Sequence, residues 1–359
     1  MIVARAPARI SFGGGGTDLA AYYERHGGLV VSTAITCHCT VIARPTDDRS
    51  IRFSSRGFPI SRTFPHGVRP TVEEPLSLPA AAIERFYDGG LRETGVEVVI
   101  SSDIPHGSGL GSSSAVTVAL VTALSAFVGR PLEPAEAADI ACDIEINRLG
   151  MPIGRQDQYA SAFGGLNVIE FERGGTRVSA LGLSSATLQA LDSRLILFST
   201  GRTRDAADIL RQQSSDSGSK PLVIESLHRI KDLARQMAQM LKAGDLDAFG
   251  QLMDTCWQEK KRLSDRISSG DIDRWYAAAL QSGALGGKIT GAGGGGFLML
   301  YCPPSHQQSL RDRMRAMGLV ELPFNVETTG ATLLDPSAPE YGIYANPLPA
   351  NEATGRLRS

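Results

Sequence analysis

The stretch Pro105-His106-Gly107-Ser108-Gly109-Leu110-Gly111-Ser112-Ser113-Ser114-Ala115 carries the densest chemical signal in the sequence. Alternating glycines let a main chain pass close to a ligand. The stretch leads out of a β-branched run into helical spacing, so its amides and the helix start converge on one point. Such a point attracts anions, phosphate above all, and the serine hydroxyls add contacts for phosphate oxygen or a divalent cation. A serine cap on a buried helix would need one serine and no glycine run. Glu145 follows near the end of an amphipathic segment, and Asp157 lies in Gly154-Arg155-Gln156-Asp157-Gln158-Tyr159, a loop entering another helical stretch. Beside a phosphate loop, two carboxylates suit two tasks: a metal ligand, and a base or charge partner for an attacking hydroxyl. Mg²⁺ takes few protein ligands and leans on substrate phosphates, so one carboxylate and one hydroxyl suffice. From spacing alone the pair also reads as a helix-end Glu and an Asp cap, both common.

Other signatures fail. No Gly-x-x-x-x-Gly-Lys-[Ser/Thr] occurs, which excludes a phosphate loop of that type. Gly291-x-Gly293-x-x-Gly296 matches the dinucleotide pattern but leads into a strand-like run, Phe297-Leu298-Met299-Leu300-Tyr301, where a helix is required. In Cys37-His38-Cys39, strand alternation puts both thiols on one face and the imidazole on the other, which reads as a buried strand.

Positioning these groups falls to an ordered series of elements. Residues 2–4, 9–12, 29–42 and 96–100 are β-branched runs bounded by Gly, Pro and Asp, and predict strands. Val116, Leu120, Leu124 and Phe127 have helical spacing over 112–127. A second helix is expected over 134–148, with Pro134 at its start and Gly150 just past its end. Strands follow at 167–171 and 194–198, then strong helical character from Arg204 to about Gly283, then the strand at 297–301. Glycine concentrates at 13–16, 107–111 and 286–296, where a backbone must turn tightly or approach a ligand.

The chain is 359 residues long, which predicts about two domains; 42% apolar content can supply each with a core. Thirty-six Lys plus Arg against 38 Asp plus Glu leave a net charge of −2, without the basic excess that nucleic-acid binding requires. No apolar run reaches the roughly 20 residues that span a bilayer, and no basic-then-apolar leader opens the sequence. Five cysteines form no disulfide framework. The expectation is a soluble cytoplasmic protein with no nucleic-acid or membrane partner.

Three motifs in order resemble the GHMP kinase superfamily, which includes galactokinase, homoserine kinase, mevalonate kinase and phosphomevalonate kinase. They are Ala6-Pro7-Ala8-Arg9-Ile10-Ser11-Phe12 with Thr17-Asp18, then Pro105 to Ala115, then Lys288-Ile289-Thr290-Gly291-Ala292-Gly293-Gly294-Gly295-Gly296-Phe297. The resemblance covers roughly residues 2–335. It implies an α+β fold of two domains, the first similar to the second domain of ribosomal protein S5 and the second ferredoxin-like. The expected division is 1–190, 191–335 and a tail, 336–359, with the boundary near 180–193.

The resemblance further implies ATP and Mg²⁺ as cofactors and a small sugar, or sugar phosphate, as acceptor; a homodimer is admitted. Pro105, Gly107, Ser108, Gly109, Leu110, Gly111, Ser112, Ser113 and Ser114 would hold the nucleotide phosphates. Ser113 and Glu145 would bind the metal. Asp157 takes the catalytic aspartate's place, with Arg9 as its basic partner. Gly15, Gly16, Thr17, Asp18, Lys288, Gly293 and Gly294 would meet the acceptor. Galactokinases read Gly-Glu-His-Thr-Asp in the first motif, whereas this chain reads Gly14-Gly15-Gly16-Thr17-Asp18, which removes two sugar-contacting side chains and opens room. The glycine form, the 154–165 segment and Thr200-Gly201-Arg202-Thr203-Arg204 are most similar to the bacterial D-glycero-D-manno-heptose 7-phosphate 1-kinases. That similarity implies an acceptor with its own phosphate, expected on Arg204 and Arg202. The alternatives are a fucose- or galactose-type kinase and a non-catalytic sugar and nucleotide sensor on the same fold.

Overall fold

The computed structural model describes residues 1–55, 61–73, 76–105, 107–202, 206–339 and 341. Its first sheet is built on the strand Gly28–Arg44, which is long enough to pair along different stretches with Ile2–Gly13, Val96–Ser102 and Leu166–Glu172, all antiparallel. Ile51–Ser55 joins Val96–Ser102 in parallel, so the sheet is mixed. Two strands were expected between residues 2 and 12, yet Ile2–Gly13 is continuous. Pro7 interrupts the run in sequence, but the register shifts between Pro7 and Ala8. A bulge absorbs the missing proline donor without ending the strand.

Helix Ser112–Phe127 forms over the residues its spacing predicts and carries Val118, Leu120, Val121 and Leu124 into the core. It packs on the two long strands together with Gln156–Phe163, while Pro221–Ala243 packs on the same strands as well. Ile10 and Phe12 of the first strand are consequently fully buried.

The second sheet has the order Val320–Leu322, Leu195–Ser199, Phe297–Tyr301, Gly286–Ile289, all antiparallel. In chain order its strands alternate with helices as strand, helices, strand, strand, helix, strand, which is the ferredoxin-like arrangement. The helical region after residue 204 resolves into Ala206–Ser217, Pro221–Ala243, Leu246–Lys261 and Gly270–Gln281. Short helices at Ala20–His26, Ser77–Phe86 and Gln307–Ala316 went unread in the sequence.

Residues 326–334, grouped by the sequence with the second unit, lie in the first sheet. Val326–Glu327 pairs with Gly28–Arg44, and Thr332–Leu334 pairs with Ile2–Gly13. Cys37 and Cys39 are buried while His38 Nε2 meets Glu327 Oε2 at 3.2 Å, the alternation expected of that strand. The tail begins with a turn: Ala338 N–H donates to the Asp335 carbonyl, and Tyr341 packs onto Val3, Ile42 and Val99. Its remainder lies outside the described residues. Among the described residues no helix is long and apolar enough to cross a membrane.

Candidate functional site

The glycine-serine loop is locked from beneath by the third motif. Gly107, Gly109 and Gly111 all have positive φ (66°, 70° and 77°). A Cβ at Gly109 would lie 2.7 Å from the Thr290 carbonyl oxygen, and one at Gly291 would lie 2.7 Å from the Gly109 Cα. The two backbones touch, and Thr290 Oγ1 donates to the Ser108 carbonyl at 2.8 Å. Ser108 and Leu110 are buried supports, whereas Pro105, Ser112 and Ser113 line an open pocket with Ser102 and Ile100. The helix that follows starts at Ser112, so its first-turn amides have no intrahelical acceptor. Gly109→Ala should therefore cost roughly 1–2 kcal/mol for the left-handed backbone plus the clash with Thr290, lowering Tm and raising KM for ATP. An unchanged melting curve together with wild-type nucleotide kinetics would contradict this.

Glu145 is placed by an irregularity. The α-helix Pro134–Cys142 continues as a π-turn over Asp143–Arg148, the kind of local widening often found at functional positions. Its carboxyl is fully buried, and Oε2 accepts from Gln158 Nε2 at 2.6 Å. Burial pushes it up to about 7; the Asp157 charge adds to this, and the Gln158, Ser114 and Ser113 donors oppose it. The serines approach without closing a hydrogen bond, because Glu145 Oε1 and Ser114 Oγ are buried without partners. An orphaned carboxylate oxygen beside serine hydroxyls is a donor set that fits a hard cation.

Arg9 and Asp157 form the centre of the adjoining cleft. Arg9 Nε donates to Asp157 Oδ1 at 2.7 Å and Nη2 to Oδ2 at 2.5 Å, a bidentate fork. The third guanidinium nitrogen, Nη1, donates to the Gly109 carbonyl at 2.6 Å, so one arginine ties the carboxylate to the phosphate loop. Asp157 opens on a pocket that Asp18, Gln156, Lys260 and Lys288 also line. Asp18 Oδ1 accepts from Gly16 N–H at 2.9 Å, and Oδ2 from Gln156 Nε2 at 2.9 Å. Burial, then the Asp157 charge, raises its carboxyl above the usual range. Gly154 permits this approach: a Cβ there would sit 1.9 Å from Asp18 Oδ2. Ser11 Oγ, Gln156 Oε1 and Gln213 Nε2 belong to cavity-lining residues and are buried without partners, which suits a ligand bearing several hydroxyls.

Of the acceptor residues expected from sequence, Gly15, Gly16, Asp18 and Lys288 line this cavity. Thr17 does not; its hydroxyl lies 2.7 Å from the Gly14 carbonyl and 3.0 Å from the Leu29 carbonyl and accepts from Leu29 N–H, bracing the loop. Gly293 and Gly294 pack on Ile267, whose carbonyl takes the Gly294 N–H, while Gly291 and Ala292 reach the cavity instead. Arg202 is paired with Asp271 and lies over the Trp275 ring. Arg204 lies outside the described residues. Sequence reasoning missed Lys260, Ser11, Gln156 and Gln213. Lys260 continues the stripe Leu246, Phe249, Met253, Cys256 of helix Leu246–Lys261, whereas Lys261 lies half-buried beside it, so the helical period is the signal that could have found Lys260.

Two family descriptions match the chain: "GHMP kinases N terminal domain" over residues 77–165 and "GHMP kinases C terminal" over residues 230–319. A D-glycero-alpha-D-manno-heptose 7-phosphate kinase of Campylobacter jejuni is 31% identical over 315 residues, covering 87% of this chain and 92% of that one. An L-fucokinase/L-fucose-1-P guanylyltransferase of Bacteroides fragilis is 28% identical over 82% of this chain and 34% of its own length. Among solved structures, a D-glycero-D-manno-heptose 1-phosphate kinase from Bacteroides thetaiotaomicron superposes with a TM-score of 0.78 at 25% identity, covering 93% of this chain and 99% of the other.

Proposed function

We propose that this chain, which belongs to the GHMP kinases and is an ATP-dependent sugar kinase, phosphorylates the anomeric hydroxyl of a heptose 7-phosphate. The observation that carries the reading is the Arg9–Asp157 fork, which opens on a polar cavity while Arg9 also grips the phosphate loop. The loop from Gly107 to Ser114 and its helix start receive the nucleotide phosphates. Ser113 and Glu145 would hold Mg²⁺, which supplies charge neutralisation on the nucleotide phosphates.

Asp18 and Gln156 fix the sugar, so that its anomeric oxygen faces the γ-phosphorus beside Asp157. As the new O–P bond forms, the bond from phosphorus to the β,γ-bridging oxygen breaks and ADP leaves. Asp157 takes the hydroxyl proton. Arg9 holds the carboxylate in place and offsets the charge that develops. Positioning and electrostatics supply most of the acceleration in such transfers.

The acceptor assignment is supported by the similarity to the heptose 7-phosphate kinase and by the glycines at 15 and 16. It is tested by ADP release with heptose 7-phosphate, mannose, fucose and galactose in parallel. Heptose 7-phosphate should give the highest kcat/KM by at least about tenfold, the discrimination that one well-placed charged contact provides. A preference for fucose, in line with the fucokinase relative, would move the chain to the fucose-type kinases.

A further inference from the structure

The floor of the acceptor cavity contains a gap of defined chemistry. A Cβ placed on Gly15 would meet only Ser11 Oγ at 3.7 Å, Gln156 Nε2 at 3.9 Å and Lys260 Nζ at 4.0 Å. All are polar, and all lie at ordinary contact distance around an empty point. Ser11 Oγ is buried without a partner. Lys260 is 5% exposed and donates to the Gly291 carbonyl at 2.5 Å; Lys288, 4% exposed, donates to the Ser11 carbonyl at 2.9 Å. An ammonium has three donors, and neither lysine forms an ion pair among the described residues.

Burying two such cations side by side is costly unless an anion answers them. Burial, followed by Lys288, drives Lys260 well below its ordinary range, and burial pushes Lys288 down to about 8. Asp18 is the carboxylate that attracts both, and it sets one negative charge against the two ammoniums. Arg9 and Asp157 neutralise each other. The cleft therefore lacks one negative charge.

We propose that Lys260, with Ser11 and Gln156, forms a subsite over Gly15 that binds a phosphate carried by the acceptor. The inference rests on the sugar kinase reading; of the two arginines expected to supply the cation, Arg202 is paired with Asp271 and Arg204 lies outside the described residues. It assigns the charge to the acceptor rather than to ATP because the cradle is built on the first-motif loop beside Asp18. The residues expected to hold ATP, Ser112 and Ser113, line the other cavity.

The test is initial-rate kinetics with Mg·ATP and either heptose 7-phosphate or unphosphorylated heptose, for wild type, Lys260→Met and Lys260→Arg. Lys260→Met should raise KM for heptose 7-phosphate about 10- to 100-fold, the loss expected for a charged hydrogen bond. KM for ATP and for unphosphorylated heptose should stay within about twofold, and Lys260→Arg should recover most of the loss. Gly15→Asp provides a second route that leaves Lys260 intact. The position has room for a Cβ, and the new carboxylate would occupy the cradle, lowering the preference for the phosphorylated sugar at least about tenfold. The proposal is overturned if KM for ATP rises in step, if both sugars suffer equally, or if the wild type prefers unphosphorylated heptose. In each of those cases ADP still forms and the kinase reading stands; no ADP from any sugar would overturn both.

Discussion

Asp157→Ala should lower kcat by about 10²- to 10⁴-fold, the range for removal of a positioned proton-transfer group, with KM for ATP within about twofold. The split follows from geometry. Asp157 faces the acceptor cavity, whereas Arg9 keeps its hold on the phosphate loop through Nη1 and the Gly109 carbonyl. The variant has a cost in the fold as well, because Arg9 is 4% exposed and would lose its ion partner, and breaking one half of a buried pair is destabilising. Asp157→Asn separates the two effects. Its amide keeps the shape and can still accept one of the two Arg9 hydrogen bonds, so the variant should melt closer to wild type yet remain as inactive. A folded Asp157→Ala protein with more than about half of wild-type activity would remove Asp157 from the mechanism. A matching rise in KM for ATP would move it to the nucleotide side.

Glu145→Gln should abolish most activity and at the same time stabilise the metal-free protein above pH 7. The carboxyl titrates near 7 in the folded chain and near 4.5 when unfolded. Between those values the folded state binds the extra proton, so the stability of the metal-free wild type falls as pH rises through the window. Above pH 7 the buried, ionised carboxylate costs about 1–3 kcal/mol, and the amide removes that cost while still accepting from Gln158. Below pH 4.5 the two proteins should melt together, and the gap should open towards pH 8. The metal side runs the opposite way, because an uncharged amide is a poor ligand for a hard cation; the Mg²⁺ concentration for half-maximal rate should rise steeply. Melts in chelator across this pH range and a Mg²⁺ titration of the rate check both halves. An equal gap at every pH, or an unchanged metal titration, would reduce Glu145 to a structural residue.

Periodicity and glycine placement made the scaffold of this site legible in advance. The start of helix Ser112–Phe127, the strands that flank it and the glycine-rich third motif follow from rules acting over a few residues: side-chain period, caps, and backbone angles that glycine tolerates. Arg9, Asp157, Glu145 and Asp18 were found because they sit inside or just after such local patterns. Their environments were not. Glu145 is buried because a π-turn ends its helix, and the helical period gives no warning of that shift. Arg202 is held by Asp271, a residue far along the chain that no local pattern links to it. Lys260, Ser11 and Gln156 come from three separate elements and meet only once the two sheets have packed. The return of residues 326–334 to the first sheet likewise depends on strand edges left open by distant segments. Local backbone preference is written residue by residue, but burial, charge balance and the partner of a polar atom are set by whatever the folded chain brings within a few ångströms, and only the tertiary structure decides that.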